Sequence, residues 1–295
     1  MYSNIAANKR NTVLIMAVFL LLIGGIGWLV GYLAGDYSIT WIVVVVAAIY
    51  ATMQYFAAGR IAITMSGGRE ITKADNPELW NIVENLAITD GLPMPRVFII
   101  DDPSPNAFAT GRDPQHAYVA ATTGILSLMD KRELTAVMAH EMSHVKNYDI
   151  RVNMIVFGLT SAIGMLCDLL LRIAWWGDDS RDSENSSGNV VLLIMSIVAA
   201  ILTPIIAALI QLAVSRQREY LADASGALTT RDPEALASAL EKLKGDPIPM
   251  RRQNTAMAHM YFSNPLKPGL FSRLLSTHPP LDDRIARLRA SLDKM

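Results

Sequence analysis

Cysteine is nearly absent: Cys167 is the one thiol in 295 residues. A lone cysteine cannot close an intramolecular disulfide, and its place within an apolar stretch suits inert packing rather than redox chemistry. Charge is also scarce. Charged residues make up 18% of the chain, against about 25% in an average soluble domain. The 26 basic residues nearly cancel the 27 acidic ones, so no global basic field recommends nucleic acid as a partner. Apolar residues reach 52%, which excludes a disordered chain, and the composition fits neither collagen nor coiled coil. Internal repeats and low-complexity linkers are lacking.

Long apolar blocks take their place. Val13–Leu33 runs 21 residues, Ile39–Ala58 20 and Val190–Val214 25, all without a charge. Each is long enough to cross the hydrocarbon core of a bilayer as a helix, which needs about 20 residues. Met154–Ile173 has the length but carries Asp168 and Arg172 near its far end. These two stand at i and i+4, where they can pair on one helix face and the arginine can reach the interface. The following Trp175-Trp176 suits an interfacial aromatic belt, so this block too reads as a span, with a helix buried in protein or inserted part-way as the alternative. The first block exceeds the h-region of a signal peptide and lacks a clean cleavage site; it reads as a retained anchor.

Basic residues beside the spans set orientation. Lys9, Arg10, Arg60, Arg69, Lys73, Lys146, Arg151, Arg216 and Arg218 all fall on one side. The opposite loops hold one basic residue, Arg181, among Asp178, Asp179, Asp182 and Glu184. Four spans then leave both termini in the cytoplasm. The expected organisation is a transmembrane hairpin in 1–58, a first soluble part in 59–153, a second hairpin in 154–214 and a second soluble part in 215–295.

Within the soluble parts, Asn76-Pro77-Glu78 reads as an N-cap, a proline at N1 and an acid in the first turn. Leu79, Ile82, Val83 and Leu86 then form an apolar face, stopped at Asp90-Gly91. Val97–Ile100 and Ala117–Ala121 read as short strands. Asp130 and Glu133 form a capping box at the start of another helix. Asp232-Pro233-Glu234 opens a further helix that closes at Gly245. The segment 246–277, rich in Pro, Ser and Asn, reads as a long loop.

The helix opened by Asp130 contains His140-Glu141-Met142-Ser143-His144. Residues at i and i+4 share a face, so two imidazoles at this spacing can grip one Zn²⁺. Glu141 stands beside the first, placed as a general base toward the attacking water. Two of the five histidines fall in this motif. A hydrolytic zinc site needs a third protein ligand. Glu219 and Asp223 lie again at i and i+4, where Glu219 could ligate zinc while Asp223 steadies a ligating imidazole through its free N–H. A solvated, charged juxtamembrane turn is the other reading, and spacing alone leaves both open.

His140–His144 continuing as Val145-Lys146-Asn147-Tyr148-Asp149, then Glu219-x-x-x-Asp223, then Thr277-His278-Pro279-Pro280, resembles the HtpX-type membrane-bound zinc metallopeptidases, relatives of the CAAX prenyl proteases. Asn106-Ala107-Phe108-Ala109-Thr110-Gly111 is similar to that family's substrate-edge segment. The resemblance covers nearly the whole chain, except residues 1–12 and 177–189. It implies one Zn²⁺ per chain held by His140, His144 and Glu219, with Asp223 and Asp149 in supporting positions and Glu141 as base. It places Asn106, Ala107 and Phe108 against substrate, with His278 near the metal to steady the oxyanion; capping or packing is the plainer role for a histidine beside Pro-Pro. The implied fold is α+β and mainly helical: four transmembrane helices bearing a zincin-like cytoplasmic metalloprotease domain, its HExxH helix set on a small sheet. The implied function is hydrolysis of misfolded or damaged membrane proteins at the bacterial plasma membrane, with the lipid bilayer and membrane-protein substrates as partners. An edge strand around Ala117–Ala121, with Asn106–Gly111 beside it, is expected to hold an extended substrate by backbone pairing. A dedicated processing protease and a non-catalytic zinc-binding scaffold are the alternatives; the second requires Glu141 to be dispensable.

Overall fold

The computed structural model describes residues 2–176, 216–245, 248–252, 256–263 and 279–292. The first two apolar blocks lie inside long helices, α1 (Tyr2–Ala34) and α2 (Ser38–Ser66). Their segments Ile5–Leu29 and Thr40–Ser66 are apolar enough to cross a membrane. The two helices pack as a hairpin: a Cβ on Gly27 would lie 2.9 Å from Val43 Cβ, and Thr40 Oγ1 donates to Gly27 O at 3.1 Å. Small residues at such a seam let helix backbones approach closely. The outward faces stay apolar, with Leu14, Leu21, Trp41, Val45 and Ile49 exposed. A surface of this kind is costly against water and natural against lipid. The second helix runs to Ser66, eight residues past the expected end of the span at Ala58.

The third block falls in α6 (Asp149–Trp176), one unbroken helix of 28 residues. Val152, Met154, Ile155, Phe157 and Ile163 are buried with Ile15, Phe19 and Ile23 of α1, so its near half packs on protein. The side chains of Asp168, Arg172, Trp175 and Trp176, the 177–189 loop and the fourth block all lie outside the described residues.

Four strands form a mixed sheet ordered β1-β2-β4-β3: β1 (Gly68–Glu70), β2 (Arg96–Ile100), β3 (Ala107–Gly111) and β4 (Ala117–Thr122). The strand β4 pairs parallel to β2 and antiparallel to β3. This corrects one expectation. Ala117–Ala121 is a central strand, and the edge is β3, because the chain crosses from β2 to β3 before returning between them.

Helix α3 (Pro77–Asp90) buries Leu79, Ile82, Val83 and Leu86, and Asn76 Oδ1 accepts from Leu79 N at 3.0 Å. The short α4 (Thr123–Leu128) leads to α5 (Lys131–Lys146), whose start carries the expected capping box between Asp130 and Glu133. Helices α7 (Arg216–Thr230), α8 (Pro233–Gly245) and α9 (Leu281–Leu292) follow, and short 3-10 turns lie at Pro114–His116 and Ala258–Met260. Within the segment expected to be a long loop, residues 256–263 pack on the sheet edge. Tyr261 and Phe262 are buried there, and burial of two aromatic rings fixes the segment.

Candidate metal centre

Twelve of the sixteen residues of α5 are buried, among them His140, Glu141 and His144. Helix α7 lies across α5 at close range. A Cβ on Gly226 would meet the His140 backbone nitrogen at 3.0 Å, so only glycine lets the two helices approach this far. Overpacking a well-filled contact costs about 1–3 kcal/mol. Gly226→Val should therefore push α7 away and weaken metal binding, although residue 226 is no ligand. Metal content after chelator challenge checks this, and undiminished content would show the contact to be dispensable.

The close approach brings three ligand atoms to one point. His140 Nε2 and His144 Nε2 are 3.2 Å apart. Glu219 offers Oε2 at 3.8 Å from the first and Oε1 at 3.6 Å from the second. Tetrahedral zinc with bonds of about 2.0–2.1 Å separates its ligands by about 3.3 Å, so this set has the right size. The other ring nitrogens face carboxylates. His140 Nδ1 lies 2.9 Å from Asp223 Oδ1, and His144 Nδ1 bonds Asp149 Oδ2 at 3.0 Å. Imidazoles that donate through Nδ1 turn both Nε2 lone pairs toward each other, an arrangement that a cation relieves.

Charge agrees. Glu141, Asp149, Glu219 and Asp223 bring four carboxylates, while the described basic side chains among them are Arg218 and Arg284. With both imidazoles neutral, the form that binds a metal, the sum is net negative and favours a cation. Burial disfavours the charged form of His144, yet the Asp149 hydrogen bond and the charges of Glu219, Asp149 and Glu141 raise its pKa to about 9. Burial pushes the Glu141 carboxyl above its ordinary range, against the pull of His140, His144 and the Ala109 backbone. A carboxylate so placed is primed to accept a proton.

Sequence reasoning missed Arg284. It is fully buried on α9 and grips Asp223 twice, Nε to Oδ2 at 2.9 Å and Nη2 to Oδ1 at 2.7 Å. Burial works against the Asp223 carboxylate, but Arg284 and His140 hold its pKa below the usual range. The surrounding Asp282-Asp283 disguises the arginine as surface. Its helical phase does not, since Arg284 shares a face with Ile285 and Leu288, both buried.

The residues expected to meet substrate meet the chain itself. Phe262 N donates to Ala107 O at 2.8 Å, Asn106 Nδ2 to Ser263 O at 2.8 Å, and Ser263 N to Asn106 Oδ1 at 3.0 Å. Phe108 packs edge-on against Tyr261, and the Phe262 ring lies 5.0 Å from that of His140. Residues 259–262 thereby line the cavity at the ligand atoms, together with Ala109 and Asn153. His278 lies outside the described residues.

An HExxH helix, a carboxylate from a second helix placed to share a metal with its histidines, and an adjoining strand edge point to a metallopeptidase. The sequence profile of peptidase family M48 matches residues 73–292, and the chain belongs to that family. A protease HtpX homolog of Tropheryma whipplei (strain Twist) is 58% identical over 289 residues, 98% of each chain. Another from Ligilactobacillus salivarius is 47% identical over 292 residues, covering 98% of this chain and 99% of the relative. The crystal structure of S. mikatae Ste24p shares the fold, with a TM-score of 0.52 at 20% identity, covering 93% of this chain and 62% of that one. The chain is a membrane metalloprotease.

Proposed function

We propose that the chain is a zinc endopeptidase with its active site on the cytoplasmic face of the plasma membrane, degrading misfolded or damaged membrane proteins. The convergence of His140, His144 and Glu219 beside a buried Glu141 carries this reading. Zinc held by His140, His144 and Glu219 would supply an acidified water and a Lewis acid toward the scissile carbonyl. Glu141 takes the proton and returns it to the leaving amine. Asp223 and Asp149 hold the two imidazoles, and Arg284 fixes Asp223.

An extended substrate would pair with the outward edge of β3. Asn106 O faces β4, accepting from Thr122 N, so Ala107 and Ala109 point their backbone groups outward. A substrate strand and Phe262 would compete for the same Ala107 carbonyl. Pairing through backbone reads shape more than side chains, which suits a protease of broad choice. Zinc content together with casein cleavage in detergent tests the assignment. A metal-loaded protein that cuts neither casein nor itself would overturn it.

The proposed topology has four spans, two hairpins in 1–58 and 154–214 alternating with soluble parts in 59–153 and 215–295. Reporter fusions after Asp75 and at the C-terminus should register cytoplasm, and one within 178–189 the exterior. A cytoplasmic reading from the 178–189 loop would reduce the protein to two spans.

A further inference from the structure

Asn8 belongs to the first membrane helix, far in sequence from every residue assigned above. It falls on the buried stripe of α1 that continues through Thr12, Ile15, Phe19 and Ile23. An amide inside such a stripe needs partners. Its Nδ2 donates to Asn147 O at 2.9 Å and to Asp149 Oδ1 at 2.7 Å. Those two residues flank Tyr148, which adopts the left-handed φ of 62°. A bulky side chain is uncommon in that conformation, and surrounding contacts must hold it there. Asn8 clasps the chain on both sides of it. Lys9 adds a contact, its Nζ 4.7 Å from the Tyr148 ring centroid.

The other oxygen of Asp149 bonds His144 Nδ1, and Arg218 Nη1 stands 3.7 Å from Oδ1. A continuous path therefore runs from Asn8 through Asp149 to an imidazole whose Nε2 points into the centre. We propose that Asn8 is a positioning residue of the metal centre: it fixes the Asp149 carboxylate, and through it the orientation and tautomer of His144, making α1 part of the site. The inference rests on His144 being a ligand. Partners at this remove from a metal commonly alter its affinity by 10–100-fold.

The test measures zinc affinity of the full-length protein in detergent by chelator competition, in a Glu141→Gln background that prevents self-cleavage. The visible spectrum of the Co²⁺-loaded form reports ligand geometry. Asn8→Ala should weaken zinc by 10–100-fold and shift the cobalt bands. Asn8→Asp, nearly the same shape, should do the same by setting acceptor against acceptor at Asp149. Because Asn8 acts through Asp149, Asn8→Ala added to Asp149→Asn should cost little beyond Asp149→Asn alone. Unchanged affinity and spectrum in both Asn8 variants would overturn the proposal. So would fully additive losses, which would mean that Asn8 supports the fold generally. His144→Ala is the control for the underlying assignment. If it keeps zinc, the ligand reading fails; if it loses zinc while the Asn8 variants do not, only the role of Asn8 fails.

Discussion

Glu141→Gln should cut peptide hydrolysis by about 10²–10⁴-fold while the protein still carries its metal. Glu141 is buried beside the ligands, and the three ligand atoms come from other side chains, so the amide leaves the metal set intact. The substitution removes a proton acceptor whose affinity burial has raised. Activity on casein measured beside metal content separates the two effects. Activity above a few per cent of wild type would remove Glu141 from the mechanism, and loss of metal would make it a ligand or a structural prop.

Glu219→Gln and Asp223→Asn should part company, although both acids lie on α7 one turn apart. Glu219 presents oxygens to both imidazoles at 3.6 and 3.8 Å, in the range that a shared ion sets. Glu219→Gln should lose most of the metal. Asp223 contacts the far nitrogen of His140 and is gripped by Arg284. Asp223→Asn should retain metal with affinity lowered about 10–100-fold. It should also destabilise the protein, since it leaves the Arg284 guanidinium buried without its full counter-charge, and breaking such a pair costs about 3–5 kcal/mol. Metal content and thermal midpoint of both variants check this. An empty Asp223→Asn beside a loaded Glu219→Gln would reverse the two roles.

The local signals in the sequence carried far. Caps at Asn76 and Asp130, the face of α3 and the i, i+4 histidines are short-range features, each settled within about one helical turn. The two uncharged blocks of α1 and α2 needed only length. The partners of those features were hidden. Which strand forms the sheet edge depends on a crossover, and single strands carry no mark of their neighbours. Asn8 and Arg284 look like membrane-flank and surface residues until the folded chain brings them to Asp149 and Asp223. Phe262 lay in a stretch whose Pro, Ser and Asn content suggested a loop, and only contact with His140 and Ala107 gives it a place.

The centre is assembled from distant stretches of chain, and this has a consequence in time. Glu219 follows His144 by 75 residues, and Arg284 follows Glu219 by 65. At ribosomal rates of about 5–20 residues per second, the carboxylate ligand appears about 4–15 s after the histidines. Arg284, which steadies Asp223, comes about 3–13 s later still. Throughout that interval the growing polypeptide has made its two HExxH histidines but not the carboxylate that completes the His140, His144 and Glu219 cluster.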